Sequence, residues 1–190
     1  MADLDDDGLA DILAVGPRVT VLRGLPRGGF AVEPLLLPDA DRGAIGILDA
    51  DGDGDLDVVL AARGEPPTFL RNETSRTRGS LRLRLRGVPD RVEGRTWSNF
   101  RGLGADVEVK AGDLLARRVV AAGSGFPGQA SDVVHVGLGG RARADFVRVR
   151  WPDGVLQSEH EVAAGKVHEI VEVNRKIASC PVIFAWDGAT

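Results

Sequence analysis

Two short stretches of the chain have the residue types and spacing to hold a hard divalent cation. The first sets carboxylates at Asp3, Asp5, Asp7 and Asp11, with Gly8 where the backbone must bend sharply. The second sets them at Asp49, Asp51, Asp53 and Asp57, with Gly54 at the bend. Calcium takes about six to eight oxygen ligands, and a short loop supplies them at alternating positions when the backbone curls around the ion. The backbone carbonyls of Leu9 and Asp55 add a matched ligand to each set. Without a cation, carboxylates packed this closely repel one another and the loop opens. The expected cofactor is therefore Ca2+, held as a structural staple.

An EF-hand has the same opening but needs an acidic residue at loop position twelve, between two helices. That position falls on Ala14 and Leu60, both inside apolar β-type runs. The loops thus read as calcium loops of about nine residues that enter strands.

Other candidate chemistry is thinner. His135, His160 and His168 have no metal-type spacing, and His135 reads as a satisfied or outward strand residue. Ser124, in Gly123-Ser124-Gly125, lacks the G-x-S-x-G pattern and its strand-to-helix setting. Gly102-Leu103-Gly104 and Gly137-Leu138-Gly139-Gly140 do not complete a dinucleotide fingerprint and read as turns. Arg76, Arg78, Arg82, Arg84 and Arg86 form a basic strip, expected to be a solvated strand face because no aromatic platform interleaves with it. Trp97 and Trp151 are expected in the core rather than on a carbohydrate surface. Glu159 and Glu161 are the close carboxylate pair late in the chain and, on a strand, share a face without making a cleft. The single cysteine, Cys180, excludes an internal disulfide and reads as an apolar thiol.

The elements that must carry the loops are strands. Forty-six residues separate Asp3 from Asp49, and an apolar run follows each loop, at Ile12–Val15 and at Val58–Ala61. Val19–Leu22 and Thr68–Leu70 continue the two units, and Ile45–Leu48 enters the second loop. A repeat of about 40–50 residues made of short strands is the signature of a β-propeller blade. Beyond a polar linker around residues 72–79 the pattern becomes strict alternation, in Leu81–Arg86, Asp106–Lys110 and Val147–Trp151. Pro152-Asp153-Gly154 supplies a turn, so 145–158 reads as a hairpin.

The fold class expected is all-β, the terminal blades of a propeller followed by a small β-sandwich or barrel-like domain. Residues 1–75 form the two repeats, 76–173 the second domain and 174–190 the start of a further strand segment. The 190 residues, with 43% hydrophobic, 27% charged, 25 glycines and 10 prolines, fit many brief strands. A net charge of −4 gives no footing for nucleic acid, and no run approaches the about 20 apolar residues of a membrane span. Met1 is followed directly by Ala2-Asp3-Leu4, without signal-peptide character, and both ends read as cuts through a longer protein.

The paired loops resemble FG-GAP/VCBS-type propeller repeats, found also in integrin α-chain heads, which carry D-x-D-x-D-G-x-x-D calcium loops. The second half is more specific. Ser98-Asn99-Phe100-Arg101-Gly102-Leu103-Gly104-Ala105, Val107–Gly112, Gly123–Phe126, Val134–Gly139 and Val147–Gly154 follow one another in the order of the ASPIC/UnbV domain of the cartilage acidic protein family. The resemblance covers about residues 3 to 173. It implies an extracellular or cell-envelope protein with an N-terminal calcium-binding propeller; the function expected is a calcium-binding, non-catalytic adhesion or interaction module with a protein or glycan partner. The alternative is an enzyme, or an enzyme's accessory domain, acting on polysaccharide or a small molecule.

Overall fold

A computed structural model describes residues 2–73, 79–88, 98–123 and 131–173. Every regular element among them is a strand, as the composition requires. Trp97, Ser124, Cys180, Arg76 and Arg78, and residues 174–190, lie outside the described residues.

The first half makes two small antiparallel sheets. One is β1 (Ile12–Val15), β2 (Val19–Gly24) and β3 (Phe30–Leu35); the other is β4 (Arg42–Leu48), β5 (Asp57–Ala62) and β6 (Thr68–Leu70). In each, an acidic loop delivers the chain into the sheet, to β1 and to β5. Leu4, Val19, Val21, Val58 and Leu60 form a shared small core between them. The Asn72 side-chain amide ties the units, donating to Leu4 O at 2.7 Å and Leu56 O at 3.1 Å.

The second half is two sheets around one larger core. The first places β7 (Ser80–Arg86) between β10 (Val133–Gly137), antiparallel, and β13 (Val167–Val171), parallel. The second has the order β12 (Leu156–Ala163), β11 (Arg143–Arg150), β8 (Asp106–Ala111), β9 (Leu114–Val119), all antiparallel. Alternation explains the packing: Leu81, Leu83 and Leu85 of β7 meet Val107 and Val109 of β8 and Val147 and Val149 of β11. Trp151 closes this core at 1% exposure, as expected. Gln157 stitches the two sheets, accepting from Trp151 Nε1 and Val173 N and donating to Val171 O, each at 3.1 Å. Among the described residues none of the sheets closes into a barrel, and the two sheets of the second half pack around one core as a sandwich.

Two readings of the strands need correction. Gly137 is the last residue of β10, with a turn beginning only beyond it. The arginine face of β7 is also less open than expected, since Arg82 is buried against the second acidic loop.

Candidate metal centres

The two acidic loops share three hydrogen bonds, position for position. Asp11 Oδ2 accepts from Leu4 N at 2.8 Å, and Asp57 Oδ2 accepts from Ala50 N at 2.9 Å. Asp7 Oδ1 accepts from Leu9 N at 2.8 Å, and Asp53 Oδ1 from Asp55 N at 3.1 Å. The last carboxylate of each loop is also held from the far side of its sheet, Asp11 Oδ1 by Gly24 N and Asp57 Oδ1 by Asn72 N, both at 2.8 Å. Gly8 and Gly54 take φ of 94° and 107°, a left-handed bend that a Cβ would strain.

This curl gathers three carboxylates per loop. Asp3, Asp5 and Asp11 each offer an oxygen within 4.8 Å of the others, and so do Asp49, Asp51 and Asp57. Oxygens around one calcium ion, at about 2.3–2.6 Å, span just such separations. Asp7 and Asp53 stand outside these groups and shape the turn through Leu9 N and Asp55 N. Leu9 and Asp55 lie on the loop between the clustered acids.

The donor set fits a hard cation, and one atom argues for it separately. Asp3 is 2% exposed, and its Oδ1 is buried without a hydrogen-bond partner among the described residues. Its pKa is raised from 3.8 to about 6, first by burial and then by Asp6, with Gly137 N–H and His135 pulling the other way. A carboxylate that is costly to ionise alone becomes favourable beside a divalent ion. Guanidinium groups already offset part of the charge: Arg23 lies 3.2 Å from Asp11, and Arg71 2.7 Å from Asp51.

Sequence reasoning missed two contacts, one at each loop. Asp6, 5% exposed, receives His135 Nε2 at 2.6 Å, whereas His135 Nδ1 is buried without a hydrogen-bond partner among the described residues, so the strand histidine is only half satisfied. Arg82 Nη1 sits 2.6 Å from Asp49 Oδ2. The signal for Asp6 is in the repeat itself, since Gly52 occupies the matching position of the second loop. Glu159 and Glu161 border a shallow, open groove lined by residues of β12 and β13. Glu159 accepts from Gln157 Nε2, and Glu161 pairs with Arg143 at 3.3 Å.

With that geometry in place, the comparisons with known proteins attach to both halves. Residues 95–177 match the ASPIC and UnbV family model. The ASPIC and UnbV half, as the sheets show, also draws on β7, which precedes the matched segment and forms the middle of a sheet. The chain is similar to cartilage acidic protein 1 of Homo sapiens, 33% identical over 152 residues and 76% of this chain. It is likewise 33% identical to the Mus musculus protein over 152 residues, and 30% identical to that of Xenopus tropicalis over 139 residues, 72% of this chain. Similarity over 152 residues reaches beyond the ASPIC and UnbV segment. The chain spans about a fifth of the length of these curated relatives, 20%, 21% and 20%.

Proposed function

We propose that the two acidic loops bind calcium as structural ions of FG-GAP/VCBS-type repeats. On this reading the chain is part of a non-catalytic extracellular adhesion or interaction module that displays its ASPIC and UnbV half to a protein or glycan partner. The observation that carries the cation reading is the recurrence, at the same spacing, of three carboxylates within 4.8 Å, one of them holding a buried oxygen without a partner. Similarity to cartilage acidic protein 1 supports the extracellular setting.

The test is thermal unfolding with calcium and with EDTA. Extracellular modules commonly bind calcium at roughly 10⁻⁴–10⁻³ M, so the titration runs to several-fold above that. Calcium raises Tm, and the double variant Asp5→Ala with Asp51→Ala loses the gain. Superimposable melting curves in calcium and EDTA for the unaltered chain would refute the reading.

A further inference from the structure

Both acidic loops are seated on the sheet of the ASPIC and UnbV half, and both use residues of the cation cluster to do it. Asp3 Oδ2 accepts from Gly137 N of β10 at 3.0 Å and from Gly8 N of its own loop at 3.0 Å, while its Oδ1 stays buried and unpartnered. Asp49 repeats the division. Its Oδ2 meets Arg82 Nη1 of β7 at 2.6 Å, and its Oδ1 is buried with no hydrogen-bond partner among the described residues. The opening aspartate of each loop thus gives one oxygen to the neighbouring sheet and keeps the other buried without a hydrogen-bond partner among the described residues. Ser80 Oγ of β7 adds a hydrogen bond to Gly54 O of the second loop at 3.0 Å.

Asp6 shows that this seating constrains the loop. Its φ is 58°, a left-handed conformation unfavourable for a residue with a side chain. The second loop has Gly52 at that position, with φ 79°. What the Asp6 side chain adds is the 2.6 Å contact to His135 Nε2, while its carbonyl accepts from Gly139 N at 2.9 Å. The left-handed turn at Asp6 thus goes together with contacts to β10 and to the turn after it.

We propose that cation binding by the two loops and docking of the ASPIC and UnbV sheet onto the repeats are one coupled event. The inference rests on the cation reading above and deepens it. An ion fixes the loops that carry Asp3 and Asp49, whose Oδ2 atoms accept from Gly137 N and Arg82 Nη1. The contact of Asp6 with His135 holds the first loop against β10 in the position that allows it. By linkage the docked sheet tightens the loops' hold on the ion by the same factor. The ion then acts as a clasp between the two halves.

The test follows calcium uptake by titration calorimetry and amide exchange in β10 by mass spectrometry, in EDTA and in millimolar calcium. In the unaltered chain calcium slows exchange over Val133–Gly137 by about fivefold or more. Asp6→Gly keeps every cluster carboxylate and places the second loop's own residue at that position. His135→Ala leaves the whole first loop and its charge untouched, so it also carries the test should Asp6→Gly fold poorly. Both variants still take up calcium, with affinity lowered about fivefold or more, and both lose most of the calcium-dependent protection of β10. Calcium uptake by the unaltered chain without slower exchange in β10, or full protection in both variants, overturns the coupling alone. No uptake by the unaltered chain overturns the cation reading and the coupling with it.

Discussion

Asp3 concentrates the physical argument at the scale of a single residue. Its carboxyl is buried between two halves of the molecule, beside Asp6 and below two backbone N–H groups. In the calcium-free protein it keeps its proton up to about pH 6, whereas in the unfolded chain it loses it near 3.8. Between those values the native state binds more protons than the unfolded state, so this group's contribution to stability falls as pH rises through the window. Asp3→Asn removes that slope. At pH 7 in EDTA the variant is expected to be more stable than the parent by on the order of 2 kcal/mol, and to lose the first loop's response to calcium. Urea denaturation at pH 4.5 and 7, with EDTA and with calcium, checks both effects; a parent and variant of equal pH slope in EDTA would contradict the account. The clustered carboxylates were legible in the sequence because their spacing is local. Asp6 was legible only in part, since Gly52 at the matching repeat position marks its left-handed turn but its partner His135 lies 129 residues on.

Among the elements, the strands followed from alternation where alternation was strict, as in β7, β8 and β11. The sequence left β3, β9 and β13 unmarked, because Phe30–Leu35 is interrupted by Pro34, Leu114–Val119 does not alternate strictly, and Val167–Val171 carries a single buried residue, Ile170. The end of β10 was misread for a physical reason: glycine signals a turn by default, yet Gly137 is there because a backbone passes over it. A Cβ at Gly137 would lie 2.4 Å from Asp6 Cα and 2.5 Å from Asp3 Oδ2. Gly137→Ala must therefore lift the first loop off β10 or distort the strand, at a cost of about 1–3 kcal/mol. Gly43→Ala in β4 is the matched control, because nothing stands within 4 Å of its Cβ. That change should stay within about 0.5 kcal/mol. Equilibrium unfolding of the two variants gives the comparison, and equal losses would remove the case for close seating at β10.

For the whole molecule, the division of buried apolar residues is lopsided. Eighteen described residues form the core of the ASPIC and UnbV half, from Leu81 to Ile170, against five in the repeats. Three-stranded sheets with so little to bury are marginal alone, and β3 presents a largely exposed strand, with Val32 at 68%. The repeats therefore depend on what they dock against: Asn72 between the two units, and β7 and β10 beneath the loops. Residues 76–173, produced separately, should unfold in one cooperative transition. Residues 1–75, produced separately in EDTA, should show a broad, weak one. Mixing the two pieces in millimolar calcium should restore a sharp transition for the repeats, because ion and sheet then act on the loops together. Scanning calorimetry of each piece and of the mixture decides it. A sharp transition for 1–75 alone in EDTA would mean that the five-residue core suffices, and that neither the ion nor the neighbouring sheet is needed to hold the repeats in shape.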